Sequence, residues 1–101
     1  MPTVFITAPP EAAEELAEGI VTERLAACVN RVPCASTFWW DGTVNHESEV
    51  ILLAKTSEHR YHDLVTYVER EHPYDVPALE RFDEADVLEA YSHWVDEVTK
   101  Q

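Results

Sequence analysis

Glycine is almost missing from this chain, with only Gly19 and Gly42 among 101 residues. A phosphate cradle needs several glycines close together, so a P-loop and a Gly-rich dinucleotide fingerprint are both excluded. No HExxH and no nucleophile elbow is present either, and the chain does not read as an enzyme. Cysteine is equally scarce. Cys28 and Cys34 are too few for a disulfide framework and lack metal-ligand spacing. On one extended strand they stand about 20 Å apart, far beyond disulfide reach, so two free thiols are expected. No apolar run approaches the ~20 residues that cross a bilayer. The opening Met-Pro-Thr-Val-Phe-Ile-Thr has no basic n-region and no small-residue cleavage site, so a cytoplasmic location is expected.

Positive charge is the other shortage. Seven Lys and Arg face twenty Asp and Glu, for a formal net charge of −13, and Lys55 and Lys100 are the only lysines. Such a surface repels phosphate backbones and anionic membranes, which argues against nucleic-acid and membrane partners. Acidity of this degree on a chain with 46% hydrophobic residues suggests adaptation to the high-salt cytoplasm of a halophilic archaeon. An ordinary acidic mesophilic protein is the plainer alternative.

What is present fits one domain over residues 1–101. Thr3 to Ala8 is a β-rich run stopped by Pro9-Pro10. Pro10 suits a first helical turn, with Glu11, Glu14 and Glu15 at the positive helix end. Ala13, Leu16, Ala17, Ile20 and Arg24 then share a helical face, with Val21 beside it and Gly19 interrupting the pattern. Ala26 to Trp40 is rich in β-formers, and Asp41-Gly42 after it is a hairpin signal. The return strand runs to Thr56. Ser57 is placed to cap a second helix carrying Tyr61, Leu64, Val65, Val68 and His72 on one face, ended by Pro73. Val76 to Phe82 reads as a fourth, edge strand because of Pro77. Val87, Leu88, Tyr91, Trp94, Val95 and Val98 form a last amphipathic helix. The order β-α-β-β-α-β plus a helix is the split βαβ arrangement, an α+β, ferredoxin-like sandwich.

Two strands refuse to alternate. Val50-Ile51-Leu52-Leu53-Ala54 and Val4-Phe5-Ile6 are apolar at both parities, so both sheet faces call for cover. Helices supply one cover, and a domain this small has nothing left for the other. Oligomerisation is therefore expected, with the Trp-rich hairpin as a candidate to reach a second copy.

Several segments together carry a resemblance. Thr7-Ala8-Pro9, Leu25-Ala26-Ala27-Cys28-Val29-Asn30, Trp39-Trp40-Asp41-Gly42, Leu53-Ala54-Lys55-Thr56 and His72-Pro73-Tyr74-Asp75-Val76-Pro77 stand in an order and spacing similar to those of the CutA family. That family is named for divalent-cation (copper) tolerance. Tyr91-Ser92-His93-Trp94 resembles its C-terminal Tyr-x-x-Trp segment. The resemblance covers almost the whole chain. It implies a ferredoxin-like fold, a tight homotrimer with sheets packed inside, an architecture similar to PII signalling proteins, and binding of copper or other divalent ions. Cys34 replaces a common glycine, Thr43 a common lysine, and Ile6 stands where some members carry a cysteine.

The polar residues within those segments are the candidate site. Lys55 is a lone ammonium ending an apolar strand, and its burial there demands a partner or a ligand. Asn30, Trp40, Lys55 and Tyr74 are the candidate lining of an intersubunit cleft open to a small anionic ligand. His72 and Cys28 are the candidate metal ligands. For His72 the competing reading is structural, an imidazole that caps carbonyls at a helix end. His59 and His62 are spaced i, i+3 beside Glu58 and Asp63, but no third ligand at suitable spacing joins them. Trp39 and Trp40 point to opposite faces of a strand, one as an anchor and the other as a groove wall.

Overall fold

The computed structural model describes residues 1–100. Four strands form one antiparallel sheet: β1 (Pro2–Ala8), β2 (Cys28–Trp40), β3 (Thr43–Lys55) and β4 (Leu79–Asp83), in the spatial order β2-β3-β1-β4. The helices are α1 (Pro10–Thr22), α2 (Tyr61–Glu71) and α3 (Glu89–Thr99). This is the ferredoxin-like α+β arrangement expected from element order. Pro10 opens α1 as read, and β2 runs unbroken through Pro33 because β2 lies at the edge of the sheet.

Two local expectations change. The Ser57 hydroxyl caps nothing; a single 3-10 turn, Glu58–Arg60, precedes α2, and the hydroxyl instead lies 2.8 Å from Thr99 Oγ1. β4 begins at Leu79 and not at Val76, since Pro77 cannot donate to a ladder and residues 73–76 before it form bends.

Register explains the non-alternating strands. Val4 pairs with Ala54, and Ile6 with Leu52; all four are fully buried on the side covered by α1 and α2, with Leu16, Ile20, Leu64 and Val68 packed above them. The opposite parity, Phe5 opposite Leu53 and Thr7 opposite Ile51, is only half-buried and lies away from α1 and α2. Val32 and Phe82 on that open face are 43% and 49% exposed, a large apolar area for a lone chain to leave wet.

The β2–β3 hairpin accounts for the molecule's length of 44 Å against 26 and 20 Å in the other directions. Asp41 (φ 52°) and Gly42 (φ 76°) both take left-handed conformations, the pattern of a two-residue primed turn. The arm carries Phe38, Trp39, Trp40 and Val44, all exposed. In one chain neither tryptophan is anchored.

Far from the tip, Arg60 ties the two halves together. It is buried, and its guanidinium donates to the carbonyls of Glu23 and Arg24 at the end of α1 and to Asp63 at 2.9 Å. Buried carbonyls in the turn that follows α1 are thus satisfied by a side chain from across the domain.

Candidate functional site

Polar groups gather at two ends of the open face, about 20 Å apart along β3 from Lys55 to Glu49. At the first end, Cys28, Lys55, Thr3 and Phe82 form one row across four strands, and Asn30, Leu53, Phe5 and Glu80 form the next. The Lys55 ammonium donates to Asn30 Oδ1, and the Cys28 thiol lies 4.0 Å from the same oxygen. Thr3 donates its hydroxyl to Glu84, whose second carboxylate oxygen is buried without a hydrogen-bond partner among the described residues. Tyr91 of α3 closes this end beside Cys28. Burial first, then Cys28 and the Glu84 charge, push its hydroxyl above the usual tyrosine value, so it remains a donor.

The second end is built from the segment after α2. His72 Nε2 sits 2.8 Å from the Thr7 carbonyl and must donate to it, while His72 Nδ1 accepts the Tyr74 backbone N–H at 3.1 Å. These two bonds fix one neutral tautomer. The His72 and Tyr74 rings lie 4.9 Å apart, and the Tyr74 hydroxyl donates to Glu49 at 3.0 Å. Burial and that bond to Glu49 raise Tyr74 to about 12.

The candidate residues therefore divide. Asn30 and Lys55 meet as expected. Tyr74 lies at the other end of the face, and Trp40 stands about 33 Å from Asn30 along β2, so one chain does not bring the four together. His72 takes the structural role. Both ring nitrogens are engaged by backbone groups, which leaves no lone pair for a metal ion. Cys28 is a poor cation ligand here, because the Lys55 ammonium faces it across the ladder. Among the described residues no three His, Cys, Asp or Glu side chains come together in a way that holds a metal ion. His59 Nε2 instead approaches the Ser57 hydroxyl at 3.4 Å.

Sequence reasoning missed Glu49, Tyr91, Thr3 and Glu84. Glu49 had a signal, an acidic residue at the head of an apolar run. Tyr91 lay inside a recognised segment without an assigned role. Glu84 sits in irregular backbone where periodicity says nothing.

Fold and site together define a ferredoxin-like α+β protein with one helix-covered sheet face and one open apolar face bounded by polar clusters. The chain belongs to the CutA1 divalent ion tolerance protein family, whose model matches residues 2–98. It is 38% identical over 99 residues to the divalent-cation tolerance protein CutA of Pyrococcus horikoshii, covering 97% of each protein. With the Thermus thermophilus protein of the same description it shares 41% identity over 98 residues, 95% of each. Among solved structures, CutA1 from Pyrococcus horikoshii superposes with a TM-score of 0.95 at 37% identity, covering 100% of both chains. The apo form of a PII-like protein CutA from Nostoc gives 0.96 at 31% identity, covering 99% of this chain and 98% of that one. The Archaeoglobus fulgidus relative, described as periplasmic, gives 0.94 at 31% identity over 99% and 100%. No helix among the described residues is long and apolar enough to cross a membrane.

Proposed function

We propose that this protein is a homotrimeric, cytoplasmic divalent-cation tolerance protein that binds copper or another divalent ion and catalyses nothing. The open apolar face carries this reading: Phe5, Ile51, Leu53, Val32 and Phe82 need a cover that the chain's own helices do not supply. Three subunits with these faces turned inward would also bring together carboxylates that share that side, Glu47 and Glu49 on β3 and Glu80 on β4. Hard oxygen ligands from more than one subunit suit a divalent ion, and an acidic surface favours its approach. Native mass spectrometry should find three times the chain mass, and Leu53→Glu should yield monomer. Calorimetry with Cu²⁺ in chelator-free buffer should give saturable heat at one site per subunit or per trimer. A monomeric wild type, or heat that never saturates, overturns the proposal. Cell fractionation checks the location.

One observation favours a second reading. Lys55 is a cation on an apolar face, held only by a neutral amide. A PII-like regulatory trimer that takes a small anion or a protein partner at its clefts accounts for it. A metabolite screen in which Lys55→Ala loses ligand-induced thermal stabilisation supports this reading; a screen with no shift in wild type removes it.

A further inference from the structure

Glu49 is the one buried carboxylate among the described residues, 7% exposed, and that burial exists within a single chain. Tyr74 donates its hydroxyl to Glu49 Oε2 at 3.0 Å. Among the described residues Oε1 receives no hydrogen bond, and no ion pair includes Glu49. His72 packs on Tyr74 at 4.9 Å, yet its fixed neutral tautomer brings no charge. A carboxylate so far out of water is costly without a counter-charge, and one neutral donor does not supply it.

The position is a rim. The last pair of β1 with β3 is Ala8–Val50, so Glu49 stands one residue beyond it, where the hairpin arm leaves the four-stranded sheet. It therefore lies past the apolar stretch of Phe5, Ile51 and Leu53. Directly opposite on β2 is Cys34, on the same face, with Cβ atoms about 5 Å apart. Cys34 is a half-buried free thiol whose hydrogen-bond neighbour is Ser36 Oγ at 3.8 Å. Cys28 has the Lys55 ammonium across the ladder; Cys34 has a carboxylate there, which favours a cation. Glu47 is two residues along the same face, exposed, and in no ion pair among the described residues.

We propose that Cys34 and Glu49, joined by Glu47, form a site for a soft or borderline divalent ion, with water completing its shell. The inference rests on the metal-binding part of the reading above and names its ligands and ion class. Tyr74 holds one Glu49 oxygen and leaves the other to the ion, as hydrogen-bonded carboxylate ligands do. The thiolate selects for softness, since carboxylates alone would suit a hard ion equally well. Its proton passes to solvent as the ion binds. No three such side chains stand together in the chain as described, so the exposed Glu47 side chain turns in to complete the set.

The test uses the full chain in potassium nitrate at constant ionic strength. Cd²⁺, Zn²⁺ and Cu²⁺ are followed by calorimetry, and Cd²⁺ also by the ultraviolet thiolate-to-cadmium charge-transfer band. Cd²⁺ and Zn²⁺ should bind saturably with proton release, and Cd²⁺ should give the band. Cys34→Ser should abolish the band, and both it and Glu49→Gln should weaken Cd²⁺ by at least about tenfold. Cys28→Ser should change neither. Glu49→Gln keeps an acceptor for Tyr74 and so removes the charge alone; Cys34→Ser reports on the site if that variant fails to fold. A band lost in Cys28→Ser and kept in Cys34→Ser overturns the inference. So does saturable Cu²⁺ heat that is equal in wild type, Cys34→Ser and Glu49→Gln without a Cd²⁺ band, which leaves the divalent-ion reading standing. No saturable binding of any of the three ions removes both.

Discussion

The hydroxyl of Tyr67 on α2 occupies the space where a side chain at Gly19 on α1 would begin, with the Tyr67 Cζ 3.1 Å from that position. A glycine inside a helix costs about 1 kcal/mol relative to alanine, and here that cost secures close packing of α1 on α2. Gly19→Ala should therefore lose its ordinary gain in the wild type and recover it, about 1 kcal/mol, in a Tyr67→Ala background. Urea denaturation of the four proteins reads the coupling. Equal gains in both backgrounds would show that the contact does not matter.

His72 should matter for stability and not for metal. Its two ring nitrogens join the Thr7 carbonyl to the Tyr74 N–H. His72→Ala removes both bonds and leaves buried groups unpaired, a loss of roughly 2 kcal/mol. The Cu²⁺ isotherm should be unaffected. A lost copper site with unchanged melting would reverse the assignment.

Tyr74 gives an alkaline signature. An unfolded tyrosine titrates near 10, and Tyr74 in the folded chain near 12, with burial the main cause and its bond to Glu49 second. The native state holds this proton more tightly, so the contribution is intact below pH 10 and is lost as pH rises towards 12. The melting temperature of the wild type should fall more steeply over that window than that of Tyr74→Phe. Parallel profiles would remove the Glu49 bond as its source.

Much of the architecture was legible because burial has a period. The apolar stripe of α1, the hairpin turn at Asp41-Gly42 and the two-sided apolar character of β1 and β3 all follow from which side chains need cover. The site was less legible. Asn30 and Lys55 meet through a register that hairpin length determines, and both residues were already suspect. Glu84 and Tyr91 reach the same end of the sheet through irregular backbone and a helix whose docking angle no local pattern encodes. Ser57 looked like a cap because it stands before a helix, yet its hydroxyl found Thr99 forty-two residues away.

Salt should stabilise the protein. With a net charge of −13, carboxylate repulsion opposes compaction, and counterions relieve it. The melting temperature should climb from low salt to molar KCl. A flat curve would set aside the halophilic reading.

Arg60 has a consequence for the order of events in folding. The carbonyls of Glu23 and Arg24, in the turn just after α1, find their donor in a side chain that follows β3, 37 and 36 residues along the chain. An isolated first half lacks that donor, so the turn that follows α1 should stay loose until the second half has docked. Amides there should exchange with solvent at the rate of global opening, and in Arg60→Met they should uncouple and exchange early. The two halves of the domain thereby share one latch and should unlock together.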